Sequence, residues 1–92
     1  MKRVQQELIV GGARGVHGRV ATRLAEVAAR YGVTLLIRRG DEVVDCSSIL
    51  DVLALALTIG TEVCLTAEGD QAIDAMMAAV QLLITEDEID HG

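Results

Sequence analysis

The sequence predicts an α+β domain in which an antiparallel sheet is covered by helices on one side. Segments with one apolar face follow one another in the order strand, helix, strand, strand, short helix, strand, helix. Ninety-two residues are enough for one two-layer core but not for a second domain of catalytic size. We therefore expect residues 1–92 to form a single domain whose other sheet face meets solvent.

The bounds of these elements follow from apolar spacing and from turn residues. Period-two alternation indicates strands, and apolar residues at three- and four-residue intervals indicate helices. The predicted elements are strands over Glu7–Val10, Val33–Ile37, Glu42–Cys46 and Glu62–Ala67, a helix from Gly18 or Arg19 to about Arg30, a short helix from Ile49 to about Leu55, and a last helix from Gln71 to about Thr85.

The last predicted helix is apolar over much of its circumference. We expect Asp70 to cap it and its methionines, Met76 and Met77, to fill gaps in the core. The acidic end, residues 86–92, has little to bury, and we expect it to be frayed.

Composition excludes several classes of function. The net charge is -6 and the only aromatic residue is Tyr31, which argues against a nucleic-acid partner, because nucleic acids require clustered basic residues and surfaces on which bases can stack. No apolar run approaches the ~20 residues of a membrane span, which favours a soluble cytoplasmic protein. Cys46 and Cys64 lack a CxxC spacing and are expected to be reduced packing residues. With two histidines outside any ligand-spaced cluster, we expect no metal site and no cofactor.

His17 stands out because it lies between a glycine-rich loop and the start of a helix. Unpaired backbone N–H groups and the positive end of the helix dipole meet there, which favours a neutral, nucleophilic ring and a bound phosphate. Arg19 offers a further charge-assisted hydrogen bond to such a phosphate. The surrounding stretch is locally basic, with arginines at positions 14, 19, 23 and 30. The alternative is common: most histidines at helix starts only cap the helix or lie in solvent.

The segment Gly15-Val16-His17-Gly18-Arg19-Val20-Ala21 resembles the Gly-Leu-His-Ala-Arg-Pro-Ala motif of the HPr family, the histidine-containing phosphocarriers of the bacterial phosphoenolpyruvate-dependent sugar phosphotransferase system. The resemblance extends from Glu7 to about Leu83. Supporting segments are Ser48-Ile49-Leu50, Leu57 to Val63, and Thr66 to Asp70.

The resemblance implies an open-faced β-sandwich, with a four-stranded sheet in the order 1-4-2-3 and three helices on one face. It implies that His17 accepts a phosphoryl group on Nδ1 from phospho-enzyme I and passes it to enzyme IIA-type proteins. Such a protein is a covalent carrier rather than an enzyme. Arg19 would stabilise the phosphate, and the backbone of Gly18, Arg19 and Val20 would bind it. Val20 replaces the family's proline and restores a backbone N–H.

The resemblance also implies a regulatory site and a partner surface. Some family members are phosphorylated by a kinase on a serine that opens the short helix, and Ser48 has this position, although it is equally well explained as a plain N-cap. The alternative function is a regulatory protein-binding module controlled at Ser48. The partner surface implied on the first and short helices comprises Val16, Arg23, Ile49, Leu50, Val52 and Leu53.

The predicted sheet order places apolar residues on the open face. Ile9, Cys64, Leu36 and Val43 would cross it as a stripe, which suggests weak self-association of a protein expected to be a monomer. The alternative is that these are scattered exposed apolar residues of no consequence.

Overall fold

The computed structural model describes residues 2–12 and 14–85. They form a four-stranded antiparallel sheet in the order β1-β4-β2-β3, covered on one side by helices, so that the predicted fold class is confirmed. The elements are β1 (Arg3–Ile9), α1 (Gly18–Tyr31), β2 (Thr34–Arg39), β3 (Glu42–Asp45), α2 (Ile49–Ala54), β4 (Glu62–Glu68) and α3 (Ala72–Thr85).

The centre of the sheet is β4, which pairs with β1 on one side and β2 on the other. Its inward side chains, Val63, Leu65 and Ala67, are buried beneath the helices. β1 begins at Arg3, four residues before the predicted start at Glu7. Val4 is the only apolar residue among its first four, so that apolar alternation does not mark this half of the strand.

Helix α1 packs the predicted stripe into the core and has well-defined ends. Val20, Ala21, Leu24 and Ala28 are buried. At its C-terminus Gly32 adopts a left-handed conformation with φ of 64°, and its N–H donates to the carbonyls of Ala28 and Ala29.

Helix α3 buries a different face from the one its large side chains suggest. The buried residues are Ala72, Ala75, Met76, Ala79 and Leu83. Met76 therefore fills the core as predicted, whereas the prediction for Met77 is wrong, since 67% of its surface is exposed. Small alanine side chains let the helix lie close to its neighbours, which outweighs burying the larger residues. The helix begins at Ala72, so that Asp70 lies before the N-cap position.

The open sheet face lacks the continuous apolar stripe predicted for it. Cys64 is only 4% exposed and lies between Glu7 of β1 and Arg38 of β2. Ile9 and Val43 are more than half exposed, but charged and polar residues separate them. The prediction placed these apolar residues in one stripe; in the register only Cys64 and Val43 share a row, with Arg38 between them, whereas Ile9 and Leu36 lie in other rows.

Both cysteines are free and buried, as predicted. Burial raises the pKa of the Cys46 thiol from 9.0 to about 12. Among the described residues, no helix is long and apolar enough to cross a membrane. The predicted fraying of residues 86–92 lies outside the described residues.

Candidate functional site

The loop from β1 to α1 is fixed at three points before it reaches His17. The N–H of Gly11 donates to the carbonyl of Leu83 at the end of α3, at 2.9 Å. The N–H of Gly15 donates to the carbonyl of Gly12 at 2.9 Å, and that of Val16 donates to the carbonyl of Leu57 at 2.8 Å. The histidine is therefore presented from an anchored loop.

Gly15 is required by both conformation and space. Its φ of 69° lies in the left-handed region, which disfavours side chains. A Cβ at this position would overlap the carbonyl oxygen of Leu57 and lie 2.8 Å from the Cα of Thr58. The chain can pass this closely to residues 57 and 58 only because residue 15 is a glycine.

His17 is the N-cap of α1, in extended backbone conformation. Its Nδ1 accepts a hydrogen bond from the N–H of Arg19 at 3.3 Å, and its Nε2 is buried. An Nδ1 that accepts a hydrogen bond carries the lone pair, which places the ring proton of the neutral form on Nε2. The structure thus directs Nδ1, with its lone pair, to the N-terminus of α1.

The first turn of α1 is open on one side and anchored in the core on the other. Gly18 has open space around the position of a Cβ. Val20 is 2% exposed and anchors the turn in the core, and the N–H of Ala21 donates to the carbonyl of His17 at 2.9 Å. The N–H groups of the first turn lie before the first hydrogen bond within the helix and point out of the N-terminal end of α1.

The positive charge near His17 is smaller than the sequence suggests. Arg19 and Arg23 are exposed and one helical turn apart. Arg30 lies in the last turn of α1, about 16 Å along the helix axis from Arg19. Its guanidinium lies over the Tyr31 ring, 5.9 Å from the centroid. Arg30 therefore does not belong to the site.

A turn that received no role from the sequence supports the loop. Residues 57–61 form this turn, here called the 57–61 turn, and its Leu57 carbonyl accepts the Val16 N–H. The turn is held by a hydrogen bond from the N–H of Thr58 to Oγ1 of Thr61, at 3.2 Å. Ala56, just before it, has a positive φ of 53°. The two threonines flanking a glycine turn are the only sequence signal for this arrangement, and nothing in the sequence marks Ala56.

Ser48 is the N-cap of α2 by position, but its hydroxyl makes no capping hydrogen bond. The turn before α2 is held instead by Asp45, whose Oδ1 accepts from the N–H of Ser47 and whose carbonyl accepts from the N–H of Ser48, both at 2.9 Å. Capping by the Ser48 side chain is therefore not observed.

The predicted partner surface is only partly at the surface. Val52 is fully buried and Val16 is 8% exposed, so that including these two residues is wrong. Both are apolar residues on the inner sides of their segments, where they join the core. Leu50 is 78% exposed, Arg23 is exposed, and Ile49 and Leu53 are half-buried.

Comparison with known proteins identifies the family. Residues 4–85 match the model of the family described as the PTS HPr component phosphorylation site. The phosphocarrier protein HPr of Pseudomonas putida is 37% identical over 79 residues, which cover 85% of this chain and 88% of that protein.

Solved structures agree with this assignment. A phosphocarrier protein HPr from Bacillus anthracis superposes with a TM-score of 0.81 at 26% identity, covering 88% of this chain and 96% of that one. Crh, a catabolite repression protein of Bacillus subtilis whose crystal structure is a dimer with a swapped domain, gives a TM-score of 0.68 at 28% identity, covering 87% and 92%. The match over most of the chain, together with a histidine at the mouth of α1, shows that this protein belongs to the HPr family of the phosphotransferase system.

Proposed function

We propose that His17 carries a phosphoryl group on Nδ1. The observation that supports this most directly is the 3.3 Å contact between Nδ1 and the N–H of Arg19. This is a long hydrogen bond, easily exchanged for one to a phosphate oxygen. In the transfer, the Nδ1 lone pair forms a bond to phosphorus while the bond from phosphorus to the donor breaks, and the electron pair leaves with the donor. On delivery, a nucleophile of the acceptor forms the bond to phosphorus while the bond from phosphorus to Nδ1 breaks, and the electron pair returns to Nδ1.

Arg19 and the first turn of α1 hold the phosphate in this proposal. The N–H groups of Gly18, Arg19 and Val20 would donate to its oxygens, and the Arg19 guanidinium would offset its charge. The open space beside Gly18 supports this placement.

The donor and acceptor follow from the family. We infer that phospho-enzyme I supplies the group from phosphoenolpyruvate, that enzyme IIA-type proteins receive it, and that the exchange takes place in the cytoplasm. The protein would then be a carrier, consumed and regenerated by other proteins, rather than a catalyst. The exposed Leu50 and Arg23 would contact these partners.

Phosphorylation by the organism's own enzyme I and phosphoenolpyruvate tests the proposal. We expect an acid-labile phosphoprotein that His17→Ala abolishes and that substitution of the second histidine, His91→Ala, leaves unchanged. Arg19→Ala is expected to slow labelling about tenfold, by loss of a charge-assisted hydrogen bond, whereas Arg30→Ala at the far end of α1 is a matched control without effect. Label that survives in His17→Ala, or none in the native protein, would refute the proposal.

A regulatory binding module controlled at Ser48 is the second candidate. It is favoured by the Ser48 hydroxyl, which makes no capping hydrogen bond and whose modification would break none. In this case Ser48→Asp changes the affinity for a partner protein at the α2 surface, while Ser47→Asp and His17→Ala do not. Equal effects of the two serine substitutions would show that added charge, rather than the position of Ser48, is responsible.

We propose a monomer as the working state. The charged residues on the open sheet face weaken the case for association there, although the relative Crh forms a dimer. Sedimentation at high concentration tests this: a dimer that Leu36→Lys disrupts would establish association through the open face.

A further inference from the structure

We propose that Thr61 is a positioning residue for His17, acting through the peptide unit between Leu57 and Thr58. This inference rests on the proposed function and names a residue that orients the phosphoacceptor without touching the phosphate. Thr61 lies at the end of the 57–61 turn that leads into β4, and it belongs neither to the partner surface nor to the phosphate site.

One peptide unit carries both of the contacts that matter. Its carbonyl, from Leu57, accepts the N–H of Val16 at 2.8 Å, and its N–H, from Thr58, donates to Oγ1 of Thr61 at 3.2 Å. The C=O and N–H of a planar trans peptide point in opposite directions, so that fixing one fixes the other. The Thr61 hydroxyl therefore sets the direction of the carbonyl that receives the loop of His17.

Thr61 is itself held by its backbone, which gives the hydroxyl a defined place. Its N–H donates to the carbonyl of Thr58 at 3.0 Å, and its carbonyl accepts the N–H of Val10 at 2.9 Å. The N–H of Gly60 donates to the carbonyl of Val10 at 2.8 Å. Backbone hydrogen bonds from Gly60 and Thr61 thus join the 57–61 turn to Val10, just after the end of β1.

The close approach at Gly15 transmits this orientation to His17. Residue 15 is packed so tightly against Leu57 and Thr58 that a Cβ would overlap the Leu57 carbonyl. The residue after it, Val16, is hydrogen-bonded to the same carbonyl, and His17 follows directly. A rotation of the 57–58 peptide would therefore displace the residues that lead into the N-cap, and with them Nδ1.

The two threonines provide a matched pair of variants. Thr61→Val removes the acceptor of the Thr58 N–H with little change of shape, and Thr61→Ser retains it. Thr58→Val removes the other hydroxyl, which lies 3.3 Å from Oγ1 of Thr61, but leaves the N–H and its acceptor in place. Only Thr61→Val should release the peptide.

Two measurements test the inference: hydrogen exchange of the Val16 amide, and the rate of His17 phosphorylation by enzyme I and phosphoenolpyruvate. Loss of one hydrogen bond of ordinary strength predicts about three- to tenfold faster Val16 exchange in Thr61→Val, and a fall of similar size in the phosphorylation rate. Thr61→Ser and Thr58→Val should behave as the native protein in both. A denaturant titration of each variant confirms that the rates are compared among folded proteins.

The outcomes are distinct. Native rates in Thr61→Val, a Thr58→Val effect equal to that of Thr61→Val, or faster Val16 exchange without slower phosphorylation would each overturn the positioning role. No label on the native protein would overturn the proposed function itself, and the role of Thr61 in phosphorylation with it. A labelled native protein with an unaffected Thr61→Val would overturn this inference alone.

Discussion

Gly15→Ala is expected to destabilise the protein and misplace His17. The residue has a φ of 69°, and placing an alanine in the left-handed region costs about 1 kcal/mol or more. The added Cβ would overlap the carbonyl oxygen of Leu57, whose side chain is 3% exposed and cannot retreat without disturbing the core. Relief of the overlap costs about 1 kcal/mol or more, and loss of the Val16 hydrogen bond adds about 1 kcal/mol.

The sum, about 3 kcal/mol, is a large fraction of the stability of a small domain. It corresponds to a fall in Tm of about 12 °C or more for a chain of this size. Chemical denaturation followed by circular dichroism measures it, and phosphorylation of His17 at low temperature measures the displacement of the site.

Gly18→Ala is the matched control, three residues along the same segment. Nothing lies within 4 Å of the position of its Cβ, and its φ is not in the left-handed region. Alanine in place of glycine in the first turn of a helix should be neutral or stabilising by up to about 1 kcal/mol. If Gly15→Ala also lies within about 0.5 kcal/mol of the native protein, the tight contact with Leu57 is not a determinant of the fold, and the reasoning fails.

Three further predictions concern the surroundings of the site. Ala56→Gly should raise the free energy of unfolding by about 0.5–1 kcal/mol in denaturant titrations, because glycine adopts a φ of 53° without strain; lower stability would contradict this. Arg39→Met should lower the free energy of unfolding by about 1 kcal/mol, because Nη1 of Arg39 donates to the Leu55 carbonyl at the end of α2, at 2.8 Å. Arg38→Met is the control: it loses only an exposed turn contact and should have little effect. Burial raises the pKa of the Cys46 thiol from 9.0 to about 12 in the folded protein. The stability that this pKa difference contributes is therefore complete below about pH 9 and is lost as the pH rises towards 12. Unfolding free energies should therefore fall by up to about 1.4 kcal/mol per pH unit in this interval, and Cys46→Ala should show a shallower slope.

The sequence was sufficient for the order of elements and for the position of His17 at the start of α1. A histidine between a glycine-rich loop and an amphipathic stripe has few possible positions, and the structure places His17 at the N-cap with Nδ1 towards the helix. Helix α1 was predicted well because its polar and apolar faces differ sharply, so that a single orientation buries the stripe.

Elements without such contrast were predicted less well. In α3, apolar residues surround the axis, and the choice of the alanine face depends on how closely the neighbouring elements approach, which local spacing does not contain. The start of β1 is marked only by its pairing with the end of β4, where Arg3 lies opposite Glu68, 65 residues away in sequence. The burial of Val52 and Val16 follows from the same kind of distant packing.

The 57–61 turn shows why part of the site was not predictable. Its contribution consists mainly of backbone groups, a carbonyl and an N–H, which every residue type except proline offers. Only the threonine hydroxyl and Gly15 leave a mark in the sequence, and neither identifies its partner. Conversely, the sequence shows clearly that basic residues are concentrated around His17. Arg30 nevertheless lies at the C-terminal end of α1, far from His17, because residues at the two ends of a helix are separated by its length.

The three anchors of the loop have a consequence for the order in which the protein matures. The loop of His17 is held by the carbonyls of Gly12, Leu57 and Leu83, and two of these, Leu57 and Leu83, follow His17 in the sequence. During synthesis His17 therefore leaves the ribosome before Leu57 and Leu83, which hold its loop. A nascent or truncated chain that stops before these residues carries the motif without the geometry. The geometry around His17 is therefore complete only after these later residues have joined the fold.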